Sequence, residues 1–234
     1  MAERFRMPIT LLADQIVIDG WETLPLPETS ADADALGLRV AERKAHPGPD
    51  FYPTTADLDV SPVVLGRNTG AACSDWTPTE EGFDTEEVEA QHKHAWRLIY
   101  KVCNNRHLLP RAEEIEVADA DVIFVAYGSP SRVVKSAVRE ARRQGLKAGA
   151  LRLRTLWPFP DEIFHRQRPV KWLSVELNYD GQLVREIQRA GGGGAHFLGR
   201  CGELPGVAEL VEAARSLSAG RPLTVSDPFA KEAW

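Results

Sequence analysis

Cysteine is scarce in this 234-residue chain, and the three that occur, Cys73, Cys103 and Cys201, lie far apart. An odd and scattered set argues against a disulfide framework and predicts a reducing compartment. The spacing also lacks the close grouping of a self-contained iron–sulfur or zinc site. The residues therefore predict no metal centre within this chain alone.

Long apolar runs are missing as well. None approaches the roughly 20 residues that a membrane-spanning helix needs. Arg4 and Arg6 precede an apolar stretch, but Asp14 interrupts it, which makes the segment a poor signal peptide. We therefore expect a cytoplasmic protein with no membrane span.

Positive charge is in deficit, because 28 Lys and Arg residues face 34 Asp and Glu residues, a formal net charge of −6. Phosphate backbones require a basic surface, so this balance disfavours a nucleic-acid-binding protein. The chain also lacks a G-x-G-x-x-G pattern, and its six histidines form no Ser–His–Asp or Cys–His arrangement. What it has is a hydrophobic content of 43%, enough for a packed core.

One stretch, Asp121–Pro160, reads as a complete strand–helix–strand unit. Val122–Ala126 is an apolar run typical of a strand buried on both faces. Ser129 is suited to cap the following helix and Pro130 to open it. Gly145 is placed to end the helix in a left-handed conformation, before a second strand over Lys147–Leu153. Two strands joined in this way should be parallel.

The helix of this unit has an apolar face that should pack on the sheet. Val134 and Val138 lie on that face, whereas Arg139 and Arg142 lie mostly off it. We expect Val138→Asp to abolish folding and Arg142→Asp to be nearly neutral.

The alternation of strands and helices continues to the end of this region. Four parallel strands and four helices predict a doubly wound α/β domain with a mainly parallel sheet, from about Glu116 to Leu217. The further elements are a short helix at Asp161–Gln167, strands at Lys171–Glu176 and His196–Leu198, a helix at Gln182–Ala190 and a last helix opened by Pro205.

The front of the chain has a different texture. Pro8–Asp14 reads as a buried strand, which either pairs with the main sheet near Phe124 or completes a sheet in a partner chain. Leu26–Pro62 is rich in proline and reads as an extended connector. A helix follows, with Asp84 or Thr85 as its cap. Its expected apolar face comprises Val88, Ala95, Trp96, Ile99 and Val102.

Two loops are candidate ligand sites, because they follow predicted strands of a doubly wound sheet. They are Tyr127–Pro130 after the first strand and Glu176–Tyr179 after the third. Glu176 could act as an acid or base, but hydrogen bonding to a neighbouring loop is the favoured role. Gly191–Gly194 follows a helix and precedes a strand, so it reads as a connector rather than a phosphate cradle.

Two stretches of the α/β region form a distinctive pattern: Val125–Ser129, and Leu151–Pro160, which ends in Leu-Trp-Pro-Phe-Pro. They resemble the transketolase C-terminal-like domain in the α subunit of the thiamine-diphosphate-dependent 2-oxoacid:ferredoxin oxidoreductases. Val175–Gln182 and Phe197–Arg200 continue the likeness. Asn68-Thr69-Gly70 with Glu89–Tyr100 resembles the segment between the two α-subunit domains, and Pro8–Asp14 resembles the last strand of the pyrimidine-binding domain.

The resemblance implies four regions: the last strand region of a pyrimidine-binding-like domain at 1–25, a connector with one helix at 26–110, the α/β domain at 111–221 and a tail at 222–234. It implies a structural subunit of a complex that decarboxylates a 2-oxoacid oxidatively to an acyl-CoA and reduces ferredoxin. Thiamine diphosphate, Mg and iron–sulfur clusters would be bound in that complex and none by this chain alone. The partners would be a pyrimidine-domain chain, a β subunit, a γ subunit and ferredoxin.

No position here corresponds to the family's cofactor-activating glutamate, so no catalytic residue carries over. The alternative function is a stand-alone binding module for a nucleotide or acyl ligand. The candidate ligand or interface positions are Tyr127, Gly128, Ser129, Glu176, Asn178, Asn68, Thr69 and Gly70.

Overall fold

A computed structural model describes residues 2–5, 7–23, 26–35, 76–165 and 169–223. Contacts divide the chain into two compact units. The first comprises residues 1–11 and 21–109, and the second comprises residues 12–20 and 110–234. Within the described ranges, no helix has the length and apolarity required to cross a membrane.

The elements alternate regularly only in the second unit. The helices are α1 (Ala2–Phe5), α2 (Gln15–Ile18), α3 (Ser30–Ala35), α4 (Val88–Cys103), α5 (Pro130–Arg143), α6 (Gln182–Arg189) and α7 (Val207–Ser218). The strands are β1 (Ala112–Ile115), β2 (Val122–Ala126), β3 (Ala148–Leu153), β4 (Lys171–Glu176) and β5 (His196–Gly199). Short 3₁₀ helices cover Arg106–Leu108 and Asp161–Phe164.

The sheet of the second unit has the order β1-β3-β2-β4-β5. β3, β2, β4 and β5 are parallel, as the sequence predicts, and β2 lies at the centre with all five residues buried. β1 pairs antiparallel with β3 at one edge, a strand that the sequence analysis missed. The α/β fold class is therefore confirmed, with one antiparallel edge strand added.

Alternate residues of β2 face opposite layers of helices. Val122 and Phe124 pack with α5 and α7 in one apolar cluster. Ile123 and Val125 pack with α6 and with Phe159, Phe164 and Trp172 in the other. The continuous apolar run of β2 is explained by this double burial.

Helix α5 follows its sequence pattern closely. Val134 and Val138 are buried in the first cluster, and Gly145 has a φ of 80° after the helix ends. The prediction for Ser129 is wrong in its detail, because its side chain makes no capping bond to α5 and donates to Asp14 instead.

Arg142 is also more constrained than its position off the apolar face indicates. Its Nε donates to the Ala148 carbonyl oxygen at 2.7 Å and its guanidinium to the Glu116 carbonyl oxygen at 2.7 Å. A further bond reaches Asp119 at 2.6 Å. Arg142→Asp is therefore expected to destabilise the second unit, contrary to the expectation from the sequence.

Helix boundaries elsewhere in the second unit differ slightly from prediction. The helix expected over Asp161–Gln167 is a 3₁₀ turn over Asp161–Phe164, and residues 166–168 are outside the described ranges. The last helix begins at Val207 rather than directly at Pro205. Gly191–Gly194 connects α6 to β5, as predicted.

Helix α4 in the first unit begins at Val88, and neither Asp84 nor Thr85 is its cap. Glu87 occupies the cap position and makes no side-chain capping bond. Val102 packs with Phe5 and Leu109 in a small apolar cluster. The remaining predicted apolar face is largely exposed, while Arg97 and Lys101 are buried on the other side.

Residues 8–14 form no strand in this chain. Ile9, Leu11 and Leu12 are exposed, so the expected strand neither pairs with the sheet nor packs around Phe124. The sequence predicts a short helix or turn over Gln15–Trp21, and a short helix is found at Gln15–Ile18. It also predicts a short strand at Val63–Leu65; these residues and the greater part of the 26–62 connector lie outside the described residues.

Candidate functional site

The candidate site lies at the carboxyl edge of the second unit's sheet, between β2 and β4. The chain leaves β2 for β3 on one side and then crosses to β4 on the other. Doubly wound folds bind ligands at such a reversal of strand order. The loop after β2, residues 127–129, and the loop after β4, residues 177–181, both meet this crevice.

The first loop is occupied by a carboxylate of the chain itself. Asp14 Oδ2 accepts a hydrogen bond from the Ser129 backbone N–H at 2.5 Å and another from Ser129 Oγ at 2.7 Å. A Cβ at Gly128, whose φ is 62°, would come within 2.6 Å of the same oxygen. Glycine is needed here because the backbone is left-handed and the Asp14 carboxylate approaches closely.

The second loop is organised by the buried carboxylate of Glu176, which is 2% exposed. Its two oxygens accept four hydrogen bonds. The backbone N–H groups of Leu183 and Val184 donate at 2.8 and 2.9 Å, and the side chains of Ser174 and Asn178 donate at 2.7 and 3.0 Å. Glu176 thereby satisfies backbone donors in the first turn of α6, where a negative charge is favoured.

Tyr127 lies near enough to both carboxylates for their charges to act on its phenol. Burial raises the pKa of its phenol, and the charges of Glu176 and Asp14 raise it further. A phenol with a raised pKa stays protonated at neutral pH, so Tyr127 can donate a hydrogen bond but cannot act as a base there.

The structure thus brings together five of the eight predicted positions: Tyr127, Gly128, Ser129, Glu176 and Asn178. Asn68, Thr69 and Gly70 lie outside the described residues. Sequence reasoning missed Asp14, which reaches Ser129 across 115 residues of chain. The available signal was an acidic residue in an apolar segment, which is too common to identify a specific contact.

The starts of α5 and α6 offer few free backbone donors to an anionic cofactor. Around the start of α5, the N–H of Ser129 bonds Asp14, while those of Ser131 and Arg132 bond the carbonyl oxygens of Gly128 and Ser129. Glu176 fills the equivalent place at α6. The residues at these two helix starts therefore do not fit a diphosphate group. Within the described ranges, no three His, Cys, Asp or Glu side chains are grouped to hold a metal ion.

Comparison with known proteins shows which proteins the chain is similar to. Residues 120–204 match the model of the pyruvate:ferredoxin oxidoreductase core domain II. The chain is 45% identical over 195 residues to the ketoisovalerate oxidoreductase subunit VorB of Methanothermobacter marburgensis. It is 32% identical over 188 residues to the 2-oxoglutarate synthase subunit KorA of Methanocaldococcus jannaschii. The chain is a homologue of 2-oxoacid:ferredoxin oxidoreductase subunits.

These matches cover 82% and 80% of this chain, but only 47% of VorB and 49% of KorA. The chain therefore spans about half the length of these curated homologues. The solved 2-oxoglutarate:ferredoxin oxidoreductase from Magnetococcus marinus superposes on 76% of this chain and 32% of its own, with a TM-score of 0.66. At 22% identity, this likeness supports the fold.

Proposed function

We propose that this chain is a structural, interface-forming subunit of a 2-oxoacid:ferredoxin oxidoreductase. In this proposal, the assembly decarboxylates a 2-oxoacid oxidatively, yields an acyl-CoA and reduces ferredoxin in the cytoplasm. Its partners are a pyrimidine-domain chain and β and γ subunits, which carry the thiamine diphosphate, its Mg and the iron–sulfur clusters.

The observation that carries the structural role is the carboxyl edge of the sheet. An enzyme or binding module with this fold would leave helix N-termini free there for its ligand. In this chain Asp14 and Glu176 accept hydrogen bonds from backbone donors at the starts of α5 and α6. The same observation counts against a stand-alone module for a nucleotide or acyl ligand, and so do the VorB and KorA homologues.

The first test compares the isolated chain with the assembly. Calorimetry of the pure chain with thiamine diphosphate should show no binding in the micromolar range. The pure chain should also reduce no ferredoxin in the presence of a 2-oxoacid and coenzyme A. The assembly that co-purifies with the chain should do so. Micromolar binding of thiamine diphosphate to the pure chain, or an assembly without 2-oxoacid-dependent ferredoxin reduction, would contradict the proposal.

A further inference from the structure

The carboxyl edge of the sheet exposes large apolar side chains, although its polar groups are satisfied internally. Trp157, in the loop after β3, is 57% exposed. In the loop after β4, Leu177 is 37% and Tyr179 is 51% exposed. The carboxyl ends of parallel strands meet at one edge, so these loops lie on the same side of the unit.

A second set of apolar side chains is held at this edge by Asp14. The segment 12–20 belongs to the second unit and includes α2, of which no residue is buried. Leu12 is 66% exposed, and Ile16, at 73%, and Ile18, at 68%, are similarly open to solvent. Bonds from Ser129 to the Asp14 carboxylate attach the segment to the loop after β2.

In an ordinary surface segment, apolar side chains face the fold and charged ones face solvent; around Asp14 in segment 12–20 the two are exchanged. Of the segment's two acidic side chains, Asp14 bonds to the fold and Asp19 is exposed, while the apolar side chains around Asp14 face solvent. Large apolar side chains exposed together at one edge are typical of a protein-interaction site. A small polar ligand gains little from apolar side chains, and backbone donors at the starts of α5 and α6 already bond Asp14 and Glu176.

We propose that the carboxyl edge, together with segment 12–20, is the docking surface for a folded polypeptide corresponding to the half of VorB and KorA that this chain does not match. Asp14 is its positioning residue, because it fixes the apolar segment beside the loops after β3 and β4. The inference rests on the proposed function and names the face that contacts the polypeptide corresponding to the unmatched half of VorB and KorA.

The relatives indicate which polypeptide covers this surface. In VorB and KorA a region as long as the matched one continues on the same polypeptide and needs a surface to pack against. An apolar face whose carboxylates are hydrogen-bonded within the chain fits a folded protein domain. A second copy of this chain would leave that half of the relatives unaccounted for.

Hydrogen exchange on the native assembly tests the location of the surface. Compared with the isolated full-length chain, amides of residues 9–18, 154–157 and 177–180 should exchange at least about tenfold more slowly in the assembly. The protein that causes the protection should align with the unmatched half of VorB. An assembly that is active but leaves all three segments unprotected overturns this inference and leaves the proposed function standing.

Substitutions then test the role of Asp14. Asp14→Ala should weaken the assembly about tenfold on dilution, because it removes two hydrogen bonds to a charged acceptor. Asp14→Asn keeps an acceptor oxygen, so the affinity of its assembly should lie between those of Asp14→Ala and the wild type. The matched control is Asp19→Ala, which removes an exposed carboxylate of the same segment and should change nothing.

The readout that separates positioning from mere stability is local exchange in the isolated chain. Asp14→Ala should speed exchange in residues 15–19 while amides of β2 and α5 keep their protection. Ile16→Asp leaves the Asp14 contact in place and should still weaken the assembly, since a charge replaces an apolar docking residue. Unchanged affinity in both Asp14→Ala and Ile16→Asp would overturn the proposal, as would protection caused by a second copy of the same chain.

Discussion

The two units treat their apolar side chains in opposite ways. In the second unit, α5 buries Val134, Ala137 and Val138 against a sheet that is covered on both faces. In the first unit, α4 exposes Trp96 and Ile99, and of its predicted apolar face it buries only Val102 in a small cluster. The same helical periodicity therefore marks a core in one unit and an open surface in the other. Periodicity identifies which residues share a face but not what covers that face.

The two units also differ in how their polar groups are satisfied. The start of α6 is satisfied by the buried carboxylate of Glu176, whereas Glu87 at the start of α4 makes no capping bond with its side chain. The guanidinium of Arg142 joins α5 to backbone oxygens of two other segments, whereas Lys93 on α4 pairs with Glu89 one turn away. The second unit is thus tied together by long-range contacts at several points.

The largest expected difference comes from placing the same charge on each helix. Val138→Asp should lower the free energy of unfolding by about 4 kcal/mol or more, since it buries an unpaired carboxylate. Val88→Asp, at a residue 68% exposed, should change it by less than about 0.5 kcal/mol. Urea denaturation followed by circular dichroism measures both. Equal losses would mean that α4 is as deeply packed as α5.

Removing the two carboxylates at helix starts sharpens the comparison. Glu176→Ala should cost about 3 kcal/mol, because it leaves the N–H groups of Leu183 and Val184 buried without an acceptor. Glu87→Ala removes no capping bond and should cost less than about 0.5 kcal/mol. Denaturant midpoints of the two variants are the measurement. A neutral Glu176→Ala would show that water satisfies those donors.

Arginine truncation should have a smaller effect. Arg142→Ala removes bonds to the carbonyl oxygens of Glu116 and Ala148 and should cost about 1–2 kcal/mol. Arg139→Ala, on the exposed side of the same helix, is the matched control and should be within about 0.5 kcal/mol of wild type. Lys93→Ala on α4 loses one exposed ion pair and should resemble the control. Similar melting temperatures for all three variants would mean that Arg142 contributes no more to stability than the exposed Arg139 and Lys93.

The smallest effect concerns acid sensitivity. Burial lowers the pKa of His196 on β5, with a further contribution from Lys171. Because the folded pKa lies below the usual 6.5, the stability present above pH 6.5 is lost as pH falls through the folded value. His196→Gln should therefore flatten the decline in unfolding free energy between about pH 7 and about pH 5. A ring titration midpoint above 6.5 by NMR would contradict the assignment.

The contrast between the units explains which sequence predictions held. The four parallel strands lie within one residue of their expected bounds, because buried strands carry continuous apolar runs and are bounded by turn residues. Gly145 ends α5 as its position predicts. β1 was missed because Ala112–Ile115 is short, contains two glutamates and pairs with a strand distant in the sequence.

The sequence by itself determined the α/β alternation, the buried face of α5 and the match of residues 120–204 to the pyruvate:ferredoxin oxidoreductase core domain II. Those features depend on local periodicity, turn chemistry and short motifs. Only the tertiary structure decided that Asp14 meets Ser129, that Glu176 caps α6 and that the apolar residues of segment 8–18 face solvent. Each of these depends on how distant or differently oriented segments meet in three dimensions, and neither propensity nor spacing encodes that meeting.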